Sequence, residues 1–225
     1  MQSPLIIALD LETVDQARSL VQRIGDSCRF YKVGLELYAA AGPEFVRELI
    51  EQGNQVFLDL KMYDIGETVK RAVRQVAKLG PRFLTVHAVP QVMRAALEGA
   101  SGTDLQILAV TVLTSLDDRD LREMGHSSTV SELVEQRVQQ AKAAGITGIV
   151  CSPLEVSKMR AIMGPGATLV TPGVRSSGAS VGDQKRVATP KDALVSGASY
   201  LVIGRQVTHA VDPAAAIHGI LSEIQ

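Results

Sequence analysis

Gln55-Val56-Phe57-Leu58-Asp59-Leu60-Lys61 is a short apolar run that ends on two opposite charges set two residues apart. Runs of this kind recur along the chain with amphipathic stretches between them: Leu5 to Asp10, Phe30 to Gly34, Phe83 to Ala88, Gln106 to Leu113, Gly148 to Ser152, Thr168 to Gly173 and Tyr200 to Arg205. That alternation is the pattern of βα units around a parallel sheet. Thr13 with Gln16, Thr129 with Glu132 and Ser152 with Glu155 match capping boxes, and Pro153 and Pro190 suit first helical positions. A last helix over Asp212 to Ile224 brings the count to eight strands and eight helices. The reading is an α/β protein, a (β/α)8 TIM barrel in a single domain over residues 1–225, in preference to an open doubly wound sheet.

Composition is consistent with one domain: 225 residues, 46% hydrophobic and 21% charged. Net charge is −1 from 23 basic and 24 acidic residues, so no broad basic footprint points to nucleic acid or an anionic membrane, and any bound anion must be held locally. Cys28 and Cys151 lie in no metal-ligand spacing and read as reduced packing residues. Met1-Gln2-Ser3-Pro4 enters an apolar run that breaks at Asp10 without a basic region or cleavage signal, and no later run approaches a membrane span. The expected location is cytoplasmic.

Two connections are longer than the rest. Thr114 to Ser128 contains Asp117-Asp118-Arg119-Asp120, which suits a short extra helix; Arg175 to Val187 holds Ser176-Ser177-Gly178-Ala179-Ser180 and Gly182, a small polar composition expected of a lid.

The polar residues that interrupt the apolar runs fall at strand ends, where barrel enzymes build their sites. Asp10 ends the first strand, Lys32 sits in the second, Asp59 and Lys61 end the third, His87 is near the end of the fourth and Thr114 follows the fifth. A spacing of two puts Asp59 and Lys61 on one strand face. Lys32 projects from the neighbouring strand and Asp64 follows at the turn, so an alternating set of lysines and aspartates becomes possible, each ammonium kept charged by carboxylates beside it. Structural readings stand beside these: Asp59 and Lys61 as an ion pair at the rim, Asp64 with Glu67 as a capping box, His87 as a hydrogen-bonded residue outside the catalytic set. At the far end, Thr171-Pro172-Gly173-Val174-Arg175 and Ile203-Gly204-Arg205 close the seventh and eighth strands. Loops after these strands frequently hold phosphate, through glycine amides and arginine donors.

Asp59-Leu60-Lys61-Met62-Tyr63-Asp64-Ile65-Gly66-Glu67-Thr68 resembles the signature of the orotidine 5′-phosphate decarboxylases, Asp-x-Lys-x-x-Asp-Ile-x-x-Thr. Ala8-Leu9-Asp10, Tyr31-Lys32-Val33-Gly34, Thr85-Val86-His87-Ala88, Val112-Leu113-Thr114-Ser115, Pro172-Gly173-Val174-Arg175, Gly182-Asp183-Gln184 and Ile203-Gly204-Arg205 agree with it from the first strand to the last, in the order of the bacterial form. Gly66-Glu67 departs from the proline and small or polar residue common there, and Asp-x-Lys-x-x-Asp-x-Gly also resembles the sugar-phosphate decarboxylase and hexulose-phosphate synthase branch. Those relatives use magnesium and carry a glutamate where this chain has Lys32.

The resemblance implies decarboxylation of orotidine 5′-monophosphate to uridine 5′-monophosphate and CO2 without cofactor or metal. Lys61 would protonate C6, with Asp59, Asp64 and Lys32 completing the catalytic set. Asp10 and Lys32 would meet the ribose, Thr114 the pyrimidine edge, and Arg175, Gly204, Arg205 and lid residue Gln184 the phosphate, Gln184 bridging to the base. The resemblance also implies a homodimer in which Asp64, Ile65 and Thr68 reach the partner's site. The competing readings are a magnesium-dependent sugar-phosphate decarboxylase and a catalytically silent nucleotide-binding barrel.

Overall fold

Eight short strands pair in parallel and in chain order, and the last returns to the first: β1 (Leu5–Ala8), β2 (Phe30–Gly34), β3 (Gln55–Met62), β4 (Phe83–His87), β5 (Gln106–Val110), β6 (Gly148–Val150), β7 (Thr168–Thr171) and β8 (Tyr200–Ile203). The computed structural model describes residues 3–176 and 188–224. Closure is made by Leu5 against Leu201 and Ile7 against Ile203, while Ile7 also lies opposite Tyr31 of β2. With helices outside and side chains inside, strands are covered on both faces, which explains why β1, with all four residues buried, reads as a continuous apolar run.

Outside the barrel, and among the described residues, lie α1 (Val14–Ile24), α2 (Leu35–Glu51), α3 (Gly66–Ala77), α4 (Pro90–Ala100), α5 (Asp118–Glu123), α6 (Val130–Ala143), α7 (Val156–Met163), α8 (Pro190–Val195), α9 (Arg205–Thr208) and α10 (Pro213–Ile224). Ten helices replace the eight expected. One addition is the short helix anticipated near Asp117, whose side chain caps the Arg119 and Asp120 amides. The other, α9, takes Arg205 out of the eighth strand. The Thr13 and Thr129 capping boxes form, and Pro190 opens α8.

Ser152 behaves differently from the expectation. Its amide donates to Glu155 and its hydroxyl accepts from Leu154, but the box closes a turn that contains Pro153, and α7 starts only at Val156. The Asp64–Glu67 box is also not formed. Ile65, with extended backbone, takes the N-cap place of α3 without a side-chain cap, and Asp64 accepts from the Ile65 amide instead.

The N-terminal end of the barrel is plugged. Phe30, Phe83 and Tyr200, which open β2, β4 and β8, pack with ring centroids 5.4–5.6 Å apart, and the Arg82 guanidinium lies 5.2–5.6 Å from all three. Arg82 also donates to Gln55 Oε1 and to the Tyr200 hydroxyl. The charge is thereby kept hydrogen-bonded while the aromatic faces fill the floor. No helix among the described residues is long and apolar enough to cross a membrane.

Candidate active site

At the opposite end of the barrel, a cavity of about 540 Å³ opens between the C-terminal ends of the strands. One side of it is ionic. Lys32 Nζ lies 2.7 Å from Asp10 Oδ1 and 3.7 Å from Asp59 Oδ2, and Lys61 Nζ lies 2.8 Å from the same Asp59 oxygen. The charges alternate in sign along Asp10, Lys32, Asp59 and Lys61, and all four residues line the cavity. Lys32 is 8% exposed, so its desolvation is offset by carboxylates on both sides. Gly34, at the end of β2, leaves room for the pair: a Cβ there would sit 3.1 Å from both Asp10 Oδ1 and Lys32 Nζ.

Burial pushes the Asp59 carboxyl up, but the charges of Lys32 and Lys61 and hydrogen bonds from Lys61 and Thr85 outweigh it. The group is held below its ordinary value of 3.8 and is an anion at neutral pH. His87 is half-buried against the Tyr63 ring, and burial, then the charges of Arg137 and Lys61, lower its pKa from 6.5. Its imidazole is neutral near pH 7, and it is not among the cavity-lining residues.

Asp59 and Lys61 do share a face, but not through the plain alternation of a strand. Leu58 lies opposite Leu84 and Met62 opposite Val86, so four steps on β3 match two on β4. Inside this bulge Lys61 has φ 45°, the one positive φ of a non-glycine residue among those described. A left-handed conformation costs an L-residue about 1–2 kcal/mol, and bulges are a recurrent means of re-aiming a side chain beside a site. Thr85, fully buried on β4, fills the gap: its hydroxyl accepts from the Lys61 amide and donates to Asp59 Oδ1, both at 2.9 Å.

Across the cavity the wall is apolar, formed by Val110, Val112, Val150 and Val202, with the buried Cys151, in no disulfide among the described residues, beside them. The remaining edge comes from the ends of β7 and β8. Arg175, Gly204 and Arg205 line it, joined by Thr208 and His209. Gln206 of α9 bonds both the amide and the hydroxyl of Ser176, tying the two strand ends together. Helix α9 opens with Gly204 as N-cap and no side-chain cap.

The structure therefore brings together Asp10, Lys32, Asp59, Lys61, Thr114, Arg175, Gly204 and Arg205, although β1 stops at Ala8 and β5 at Val110, so that Asp10 and Thr114 lie past the strands proper. It does not bring Asp64, Ile65 or Thr68 to this chain's own cavity; the first two are exposed and the third half-buried. Gln184 and most of the expected lid fall in 177–187, outside the described residues. Thr85, Thr208, His209 and the valine wall were not anticipated as site residues. Thr85 carried a readable signal, a polar residue on the same strand face as His87 in an otherwise apolar run.

Comparison with known proteins places this architecture. Residues 3–220 match the family described as "Orotidine 5'-phosphate decarboxylase / HUMPS family". The chain is 54% identical over 220 residues to an orotidine 5′-phosphate decarboxylase of Afipia carboxidovorans, covering 98% of this chain and 94% of the relative. It is 52% identical to the enzyme of that name from Rhodopseudomonas palustris, over 98% and 93%. Among solved structures, the orotidine 5′-phosphate decarboxylase of Lactobacillus acidophilus superposes with a TM-score of 0.88 at 39% identity, over 99% of both chains. An eight-stranded barrel with this charged mouth and full-length agreement in sequence has one reading: the chain belongs to the orotidine 5′-phosphate decarboxylase / HUMPS family.

Proposed function

We propose that the chain decarboxylates orotidine 5′-monophosphate to uridine 5′-monophosphate in pyrimidine biosynthesis. The observation that carries the reading is the alternating Asp10-Lys32-Asp59-Lys61 chain, which lines a cavity whose far edge carries Gly204 and Arg205. In the reaction the bond from C6 to the carboxylate breaks, CO2 leaves, and the electron pair stays on C6. The lone pair lies in the ring plane, outside the π-system, so the site must stabilise localised charge. The Lys61 ammonium lies beside it and delivers its proton to C6, after which solvent restores the lysine. Asp59 orients Lys61 and presents negative charge where the substrate carboxylate sits. That repulsion falls as CO2 departs.

Lys32 and Asp10 meet the ribose hydroxyls, Thr114 the pyrimidine edge, and the valine wall the ring face. Arg175, the Gly204 amide and Arg205 take the phosphate, with Gln184 bridging phosphate and base. Binding energy from the non-reacting phosphate thus organises the charged end of the cavity. Lys32 also separates this site from the sugar-phosphate branch of the family: its ammonium sits between Asp10 and Asp59, where a divalent cation would need an acidic ligand. The reading therefore uses neither metal nor cofactor, and a charged nucleotide substrate suits a cytoplasmic enzyme.

The site is completed in a homodimer, by Asp64, Ile65 and Thr68 of the partner. Their exclusion from this chain's own cavity supports that, as do the exposed side chains of Leu35, Tyr63 and Ile65 after β2 and β3.

The test is to incubate the purified, exhaustively chelated protein with orotidine 5′-monophosphate and follow its ultraviolet absorbance. Turnover at the unchelated rate is expected. Absence of turnover moves the reading to a nucleotide-binding barrel, and magnesium-dependent decarboxylation of a sugar phosphate moves it to the other branch.

A further inference from the structure

We infer that Thr85 is a positioning residue of the reaction, its one hydroxyl setting both the backbone of Lys61 and the carboxylate of Asp59. The inference rests on the decarboxylase reading above. Thr85 is fully buried and is not among the cavity-lining residues, so it stands behind the two charged side chains rather than beside substrate.

The bulge creates the need for it. Because β3 takes four steps where β4 takes two, the regular register lapses around Lys61, and the Thr85 hydroxyl accepts from its amide at 2.9 Å. A hydroxyl has one proton. With its oxygen engaged by Lys61, that proton is directed to Asp59 Oδ1, an ionised oxygen that can only accept. Asp59 Oδ2 is left for Lys61 Nζ at 2.8 Å and for Lys32 at 3.7 Å. One side chain thus holds the Lys61 backbone at φ 45° and fixes which Asp59 oxygen faces the ammonium. Apolar side chains offer neither bond, whereas serine offers both.

The experiment compares Thr85→Val, which keeps the shape and removes the hydroxyl, with Thr85→Ser, which keeps the hydroxyl. Each is measured for kcat and KM with orotidine 5′-monophosphate, for uridine 5′-monophosphate affinity by calorimetry, and for thermal midpoint. Misplacement of a catalytic group by even about 1 Å costs on the order of 100-fold in rate. Thr85→Val is therefore expected to lower kcat about 10- to 100-fold with KM and product affinity within about threefold, and Thr85→Ser to stay near wild type. Phosphate and ribose contacts come from other strands, so binding should survive. Normal kcat in folded Thr85→Val overturns the inference, whatever its midpoint, and so does an equal kcat loss in the serine variant. If Thr85→Val does not fold, Thr85→Ala is read by the same criteria; if neither folds while serine does, the hydroxyl is a folding requirement and the positioning role falls. An inactive wild type sinks the decarboxylase reading and the inference with it, whereas an active wild type with an active valine variant sinks the inference alone.

Discussion

On the proposed reading, Lys61 is the residue on which the chemistry turns, and its setting separates binding from catalysis. It lies 2.8 Å from Asp59 in the bulge of β3, while the arginines and Gly204 lie at the ends of β7 and β8. Lys61→Ala is expected to lower turnover by at least about 100- to 10,000-fold while uridine 5′-monophosphate binding, read by calorimetry, largely remains. Near-normal turnover would remove Lys61 from the acid role. Asp59 yields a pH prediction. Its folded pKa lies below 3.8, so its anionic form is favoured by folding. The resulting stability is fully present above the ordinary carboxylate value and is lost as pH falls through the lower folded value. The difference in thermal midpoint between wild type and Asp59→Asn should therefore stay level from about pH 8 to about pH 5 and move against the wild type only below the ordinary carboxylate range. A change centred near pH 6 would contradict the ion-pair account.

At the scale of elements, α3 carries Asp64, Ile65 and Thr68 at or just before its N-terminal end, and its seating is set by close approach to α4. A Cβ at Gly99 of α4 would come 2.5 Å from the Lys70 carbonyl oxygen and 2.9 Å from Val73 Cβ. Alanine is the better helix former by about 1 kcal/mol, but overpacking against backbone costs about 1–3 kcal/mol or more. The clash wins. Gly99→Ala should lower the thermal midpoint by roughly 2–8 °C, and an unchanged or raised midpoint would show that the helices part at little cost. The short α9 supplies the other element-scale test. Arg205→Ala should reduce kcat/KM for orotidine 5′-monophosphate far more than for the nucleoside lacking phosphate, since the truncated substrate cannot use that arginine. Equal proportional losses would sink the phosphate assignment.

For the whole molecule, the question is whether a site belongs to one chain or two. Asp64 is exposed and does not line its own chain's cavity. In the proposed dimer, Lys61→Ala and Asp64→Ala homodimers should both be severely impaired. A mixed dimer has one site with Lys61 from one chain and Asp64 from the other, both intact, and one site with both defects. Co-expressed with different tags and isolated, it should show about half the wild-type turnover per dimer. A verified mixed dimer no more active than its parents would mean that Asp64 serves its own chain.

The barrel was legible because its parallel strands, covered on both faces, read as recurrent apolar runs, and because charges on them occur mainly where strands meet the solvent-filled mouth. Asp10, Lys32, Asp59, Lys61, Arg175, Gly204 and Arg205 could be named from such positions. Capping boxes at Thr13 and Thr129 were equally local and formed as expected, since their partners lie within one turn. What the sequence did not contain was anything requiring one strand to know its neighbour. The two-residue excess of β3 over β4 exists only once Leu58 and Met62 are set against Leu84 and Val86. With that pairing go the left-handed Lys61 and the Thr85 hydroxyl as acceptor for its amide. Helix α9 likewise turns Arg205 out of the strand after its Ile203 neighbour has closed on Ile7. Residue type and position determined which side chains are charged and at which strand ends they fall; hydrogen-bond register between segments distant in sequence decided which face Lys61 takes and where those charges meet, because the backbone amides of a strand must find their partners in the next.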